Sequence, residues 1–447
     1  MKQKKATKFN EIVPAVQFKV PVKPNDIFFT DFSKVRGSFK ENILLRSLNL
    51  TTSKPCSLNS HNDIKTLVFL AGMYGSGKTS ELNKLAVEIE NPKSYLCIKC
   101  SLDTDLDMNN IDFVDILIFM AEQLAIKSNE KKLKIDTKVI ASLEEWFGER
   151  SKEANMKMKS EDKIEAEINV GFSLLSFIKL MSKIKTSVAH NKEYAEKTRT
   201  ILRNNFSDLK NKFNEFIGEV VLNLRKENVA RDVLFIIDGL EKVQTADMRK
   251  KIIIDDGLRI REINTNMLIT MPIELHHSVS SLRMLEPKII RFPFIKLYDK
   301  ESGKIIPETQ KTLIEFISKR IDLSLFESEE LISDIIKMSG GSPRELLRII
   351  EQMVFETDDD NIEKLTRKSF EDAVITLANL FSSGLIKEEL ELLKEIKKTK
   401  GSIAFSETLG NLLSKVIVME YNDGTYKRIN PIIEHSAIYK AYVDKKR

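Results

Sequence analysis

An apolar run, Leu67, Val68, Phe69, Leu70 and Ala71, leads directly into Gly72, Met73, Tyr74, Gly75, Ser76, Gly77, Lys78, Thr79 and Ser80. A helix-forming amphipathic stretch follows over residues 81–90. The order strand, G-x-x-x-x-G-K-T, helix is the pattern of a loop that wraps phosphate groups. Glycines at 72, 75 and 77 free the backbone to take positive φ and to approach oxygen atoms without a Cβ in the way. The loop amides would then converge on a phosphate at the helix N-terminus, where the helix dipole favours negative charge. Lys78 would neutralise the outer phosphates, and the Thr79 hydroxyl would ligate Mg²⁺. The competing reading is a glycine-rich turn with no ligand, and the complete strand–loop–Lys–Thr–helix order argues against it. A chain with this pattern is expected to bind a nucleoside triphosphate.

At 447 residues the chain exceeds one ordinary core and implies two to four domains. Its 42% hydrophobic and 31% charged residues predict a soluble, helix-rich protein. A net charge of +5 is small for this length and does not by itself call for nucleic acid. Cys97 and Cys100 form C-x-x-C, but within Tyr95, Leu96, Cys97, Ile98, Lys99 and Cys100, which reads as a buried strand. Three apart on a strand, the thiols face opposite sides, so two separate core cysteines are expected rather than a redox pair. A reducing, cytoplasmic setting fits. The basic start, Met1 to Lys5, is followed by no apolar segment, so no signal peptide is expected. Residues 168–184 are too short and too polar to span a bilayer, so no membrane is expected.

Strand-like runs occur at 66–71, 94–100, 233–237, 267–270 and 289–294, separated by helical patterns, which predicts a parallel sheet of βαβ units. Residues 1–64 form an N-terminal segment flanking the nucleotide, with a helix near 39–48 and a loop over 51–63. The core spans 65–300. Within it, 105–228 reads as a helical insertion, hairpin-like and projecting, with solvated lysine and glutamate faces and a very polar stretch at 150–166. Residues 301–382 read as an α-helical lid, with helices at 308–320, 328–338, 343–355 and 362–380. In 383–447, helices at 387–398 and 406–415 precede strands at 416–421 and 426–429 around an Asn-Asp-Gly-Thr turn. Helix–helix–hairpin–helix is the order of a winged helix.

Asp238 ends the apolar run Val233 to Ile237, placing a carboxylate at the edge of the sheet where strands end and ligands bind. It would hold Mg²⁺. Many ATPases carry a glutamate immediately after that aspartate to activate water; here the position is Gly239, and Glu241 is the nearest candidate. Glu241 is read either as the base or as a surface ion-pair partner of Lys242 or Lys250. Thr270 ends the next apolar run and is read either as a sensor of the γ-phosphate or as a solvated strand-end threonine. Ser342 caps a helix that Pro343 opens. Arg344 then falls in the first turn, against the helix dipole, and is read either as reaching an anion such as a γ-phosphate or as an ordinary surface arginine.

The succession of phosphate loop, helical insertion, Asp238-Gly239-Leu240-Glu241, Thr270-Met271-Pro272 and Gly340-Gly341-Ser342-Pro343-Arg344 resembles AAA+-related ATPases of the STAND type (signal-transducing ATPases with numerous domains). It is also similar to the replication-origin initiator ATPases. The resemblance covers roughly residues 26–445 and implies an α/β P-loop NTPase sheet, a helical lid and a winged helix. It also implies ATP and Mg²⁺ as cofactors. By likeness, Gly72 to Ser80 bind phosphates, Thr79 and Asp238 the metal, Thr270 acts as sensor, Pro343 and Arg344 contact the nucleotide, and residues 25–36 flank the adenine. Gly239 departs from the initiators' Asp-Glu pattern and sits closer to the STAND one. Arg283 and Arg291 lie where an arginine finger would, without further support. Three functions fit these residues, two of them through the resemblance. The first is an ATP-driven switch that controls assembly as a homo-oligomer or a separate effector protein, in a bacterial antiphage setting by analogy. The second is a DNA-loading ATPase. The third, which the Gly239 departure allows, is a nucleotide-binding scaffold that barely hydrolyses. Residues 405–416, the candidate recognition helix, carry one lysine and one glutamate, which favours protein over DNA as partner.

Overall fold

The computed structural model describes residues 3–59, 65–158, 173–276, 278, 287–357, 363–422 and 424–444. Its centre is a five-stranded parallel sheet of β1 (Leu67–Gly72), β2 (Tyr95–Ser101), β3 (Asp232–Asp238), β4 (Asn266–Pro272) and β5 (Lys288–Phe292), ordered β2–β3–β4–β1–β5. Every residue of β1, β3 and β4 is buried, as continuous apolar runs covered on both faces must be. Alternate side chains divide between two cores. Val68, Leu70, Leu234, Ile236 and Leu268 meet the helix after β1, α1 (Lys78–Ile89); Phe69, Phe235, Ile237 and Ile269 face the other side. Cys97 and Cys100 fall on opposite faces in these two cores, and burial pushes both thiols up. The last strand is shorter than its apolar pattern: Pro293 follows Phe292 and has no N–H for the ladder.

The insertion is a bundle laid on the sheet, not a projecting hairpin. Helices α2 (Phe113–Glu130), α3 (Thr137–Met156), α4 (Leu174–His190), α5 (Lys192–Asn204) and α6 (Phe206–Lys226) share one core with β3 and β4 through Phe119, Phe177, Phe213 and Phe216. Their charged residues are not all solvated. Arg199 bonds Asp115 within the bundle, and Arg203 bonds both Asp112, at the start of α2, and Asp256, between β3 and β4, which ties the bundle to that segment. Residues 150–156, the start of the very polar stretch, continue α3. The rest of the polar stretch lies outside the described residues.

Helices α7 (Pro307–Ser318), α8 (Glu329–Met338), α9 (Pro343–Phe355) and α10 (Arg367–Ser382) form a second core together with the N-terminal segment, through Ala6, Ile12, Phe28 and Phe32. A β-bridge joins Ala6 to Ile321. The fourth of these helices starts at Arg367 rather than 362 because Thr366 caps it, accepting from the Ser369 amide. The chain continues with α11 (Lys387–Lys398), α12 (Glu407–Ser414), the antiparallel hairpin β6 (Val418–Tyr421) with β7 (Tyr426–Ile429), and α13 (Ala437–Tyr442). The first hairpin strand starts two residues later than the apolar run because Val416 takes a φ of 59°, which breaks the extension. Among the described residues, no helix is long and apolar enough to cross a membrane.

Candidate functional site

The loop between β1 and α1 places Gly77 as helix cap at a φ of 93°, a left-handed conformation that favours glycine. Gly72 serves differently. Its φ is not positive, but a Cβ there would meet the Phe292 carbonyl oxygen at 2.8 Å, so it is required for close approach to β5. Lys78 opens α1 and is buried. Its Nζ donates to the carbonyls of Gly72 and Met73, each at 3.0 Å, and pairs with Glu241 Oε1 at 3.1 Å.

Sheet order explains why Glu241 is there. β4 lies between β1 and β3, so the ends of all three strands converge. Asp238 ends β3, Gly239 turns the chain at a φ of 111°, and the turn Leu240–Lys242 carries Glu241 inward. Thr270, on β4 and fully buried, accepts from the Gly239 amide at 2.8 Å and donates to Glu241 Oε2 at 2.9 Å. Glu241 is therefore no surface ion-pair partner, and Lys242 pairs instead with Asp103. Nor is Thr270 a solvated strand end.

The Thr79 hydroxyl lies beside the Asp238 carboxylate and favours its charged form, and Asp238 Oδ1 is buried with no hydrogen-bond partner. Burial pushes the Asp238 carboxyl up, and the nearby Glu241 charge adds to this, against Thr79 and Lys78. Burial acts on Glu241 in the same direction, but Lys78 and hydrogen bonds from Thr270 and the backbone outweigh it and hold Glu241 below the usual carboxylate range. Glu241 is thus held ionised, and Asp238 keeps an unused acceptor. No group of three or more His, Cys, Asp or Glu side chains suited to a metal occurs among the described residues. An orphaned carboxylate oxygen beside a hydroxyl still suits a hard dication that takes its other ligands from phosphate and water.

A cavity of about 710 Å³ opens over this cluster. Tyr74, Gly75, Gly77, Lys78, Thr79, Ser80 and Glu241 line one wall; Pro343 and Arg344 of the helical unit line another. Arg344 is half-buried, its guanidinium 3.9 Å from the Tyr74 ring centroid and its Cδ 3.1 Å from where a Cβ of Gly75 would lie. The first-turn arginine of α9 thus reaches across to the glycine loop. Phe28, Phe29, Thr30, Phe32 and Arg36 line the remaining side, within the segment expected at the adenine. Gly72, Met73, Ser76, Asp238 and Thr270 are not among the lining residues; the Met73 sulfur turns away and accepts from the Glu420 amide of β6 at 3.2 Å. Arg291 is engaged by Glu420 at 2.6 Å and by His276, and Arg283 lies outside the described residues.

Sequence reasoning did not single out Arg36 within its segment, nor Arg320, which is buried between Phe316 and Phe28 on the same cavity. Neither lies in a periodic pattern that would signal a buried arginine. It also missed the hairpin's contact with Met73, which pairs chain positions 73 and 420 with no local signal.

No family model matches the chain, and no curated protein does. Among solved structures the chain is similar to a Walker-type ATPase of Pyrococcus abyssi, at 11% identity and a TM-score of 0.42 over 94% of this chain and 98% of that one. It is also similar to Drosophila ORC bound to DNA, at 11% identity and a TM-score of 0.35 over 94% of this chain and 90% of that one. The functional reading below stands on the geometry of the site.

Proposed function

We propose that the protein is an ATP-binding, Mg²⁺-dependent molecular switch that hydrolyses ATP and uses its helical lid to report the state of the nucleotide. One observation carries this reading: Lys78, Thr79, Asp238, Glu241 and Thr270 converge beneath one cavity that Arg344 closes from a separate helical unit. In this reading the loop amides and Lys78 take the phosphates. Thr79 and Asp238 would hold Mg²⁺, which when bound neutralises phosphate charge. Glu241, held ionised, leaves Lys78 when phosphates arrive and orients the attacking water, with Thr270 fixing its carboxylate. Phe28 to Phe32 supply apolar surface for the base.

We read α11, α12, the β6–β7 hairpin and α13 as a winged helix acting on protein. Supporting this, the face of α12 that does not pack on the turn Ile273–His276 exposes Glu407, Asn411 and Lys415, one acid against one base. A helix that reads DNA normally presents several basic or amide side chains there. Control of a separate effector, ATP-driven self-assembly and an antiphage setting belong to the same proposal through the resemblance to STAND ATPases.

Titration with a fluorescent ATP analogue, with and without Mg²⁺, tests the core of this reading. Lys78→Ala, verified as folded by its melting curve, is expected to abolish binding, because the cradle loses its cation. Undiminished affinity in the variant would remove the loop from the site.

A further inference from the structure

We infer that Arg36 is a second phosphate-binding cation of this cavity, supplied by the N-terminal segment rather than by the phosphate loop; the inference rests on the nucleotide reading above. Arg36 follows the turn Ser33–Val35 and is buried. Its guanidinium lies 4.0 Å from the Phe292 ring centroid, and its Nη1 donates to the Pro293 carbonyl at 3.0 Å. That places the planar group at the end of β5, beside the loop. A Cβ built on Gly77 would stand 3.0 Å from Arg36 Nη2, and both residues line the cavity with Lys78 and Thr79. The guanidinium therefore meets the loop at its last glycine, where the loop amides and the N-terminus of α1 gather for an anion.

Among the described residues no carboxylate pairs with it directly. Glu81 and Asp31 attract it at longer range and also pair with Lys84. Arg36 Nε has no hydrogen-bond partner. Burial lowers its pKa to about 10 against the attraction of these two carboxylates. Isolated buried charge is costly, and such a group persists where a ligand brings the opposite charge. Lys78, by contrast, is already neutralised by Glu241. The fork of N–H donors on a guanidinium also suits phosphate oxygens better than an ammonium does. Resemblance alone would set residues 25–36 at the adenine; Arg36, whose guanidinium lies 5.8 Å from the Phe32 ring centroid, also reaches Gly77 of the loop, at the phosphate end.

The test is a ligand series, ATP, ADP, AMP and adenosine, titrated by calorimetry against the full-length wild type, Arg36→Met and Arg36→Lys. Methionine keeps the apolar stem on Phe292 and removes the charge. Arg36→Met is expected to weaken ATP and ADP by about 10- to 100-fold, the size of a lost charge-assisted contact, while changing adenosine by less than about twofold. Arg36→Lys, which keeps charge but cannot serve Pro293 and a phosphate together, is expected to fall between and carries the test if Arg36→Met does not fold. A uniform loss across the series, adenosine included, would make Arg36 a structural or base-side residue and overturn the inference. So would unchanged ATP affinity in either variant. A wild type that binds none of the four ligands would instead refute the nucleotide reading itself.

Discussion

Glu241 holds the balance of the site at the scale of single residues. In the structure it neutralises Lys78 and accepts from Thr270, so phosphate binding requires it to move or to share the lysine. Breaking a buried pair by removing one charge typically costs about 3–5 kcal/mol because the other charge is left unpaired. Glu241→Gln should therefore melt earlier than wild type without ligand and gain more from ATP, binding it about tenfold tighter or better while phosphate release falls. Differential scanning fluorimetry with an ATP series, alongside a phosphate-release assay, measures both. Equal ATP affinity would mean that Glu241 stays on Lys78 in the bound state, and undiminished phosphate release would remove it as the base. Much of this cluster was legible in the sequence, because the loop motif and a carboxylate ending an apolar strand are local patterns. The Lys78–Glu241 pair was not legible, since it depends on β4 lying between β1 and β3, an order that no local pattern contains.

Among the elements, the β6–β7 hairpin joins pieces that are distant in sequence. The Glu420 amide reaches Met73 of the phosphate loop, the Tyr421 hydroxyl donates to the Gly340 carbonyl beside α9, and Arg291 of β5 holds the Glu420 side chain. His276 packs beside that arginine. Burial, and then the charge of Arg291, depress its pKa from 6.5 to about 4. A neutral histidine in the fold therefore contributes stability that is full above about pH 6.5 and is lost as pH falls towards about 4. His276→Gln should flatten that part of the stability profile, leaving variant and wild type closer at pH 5 than at pH 7.5 in urea unfolding curves. An identical pH slope in both would show that His276 is not the group titrating there. Helices with sharp caps, such as α9 behind Ser342 and Pro343, could be read from the sequence because capping chemistry is local. The seating of the insertion on the sheet could not, because the ion pairs Arg203–Asp112 and Arg203–Asp256 join segments whose polar composition resembles solvated surface.

At the scale of the whole molecule, the cavity lies where the sheet, the N-terminal segment and the helices α7–α10 meet, and a ligand there would touch all three. A ligand shifts a conformational equilibrium only through contacts that are better in one state. Arg344 offers such a contact in the proposed reading: its guanidinium rests on Tyr74 in the cavity, and a γ-phosphate there would give it a stronger partner. Small-angle scattering of wild type and Arg344→Ala, each with and without a slowly hydrolysed ATP analogue, measures whether the switch runs through this residue. The variant is expected to bind the analogue within about tenfold of wild type. Wild type should change its radius of gyration or its state of assembly when the analogue binds, and the variant should not. The same response from both proteins, or none from wild type at saturation, would contradict a lid driven by nucleotide through Arg344.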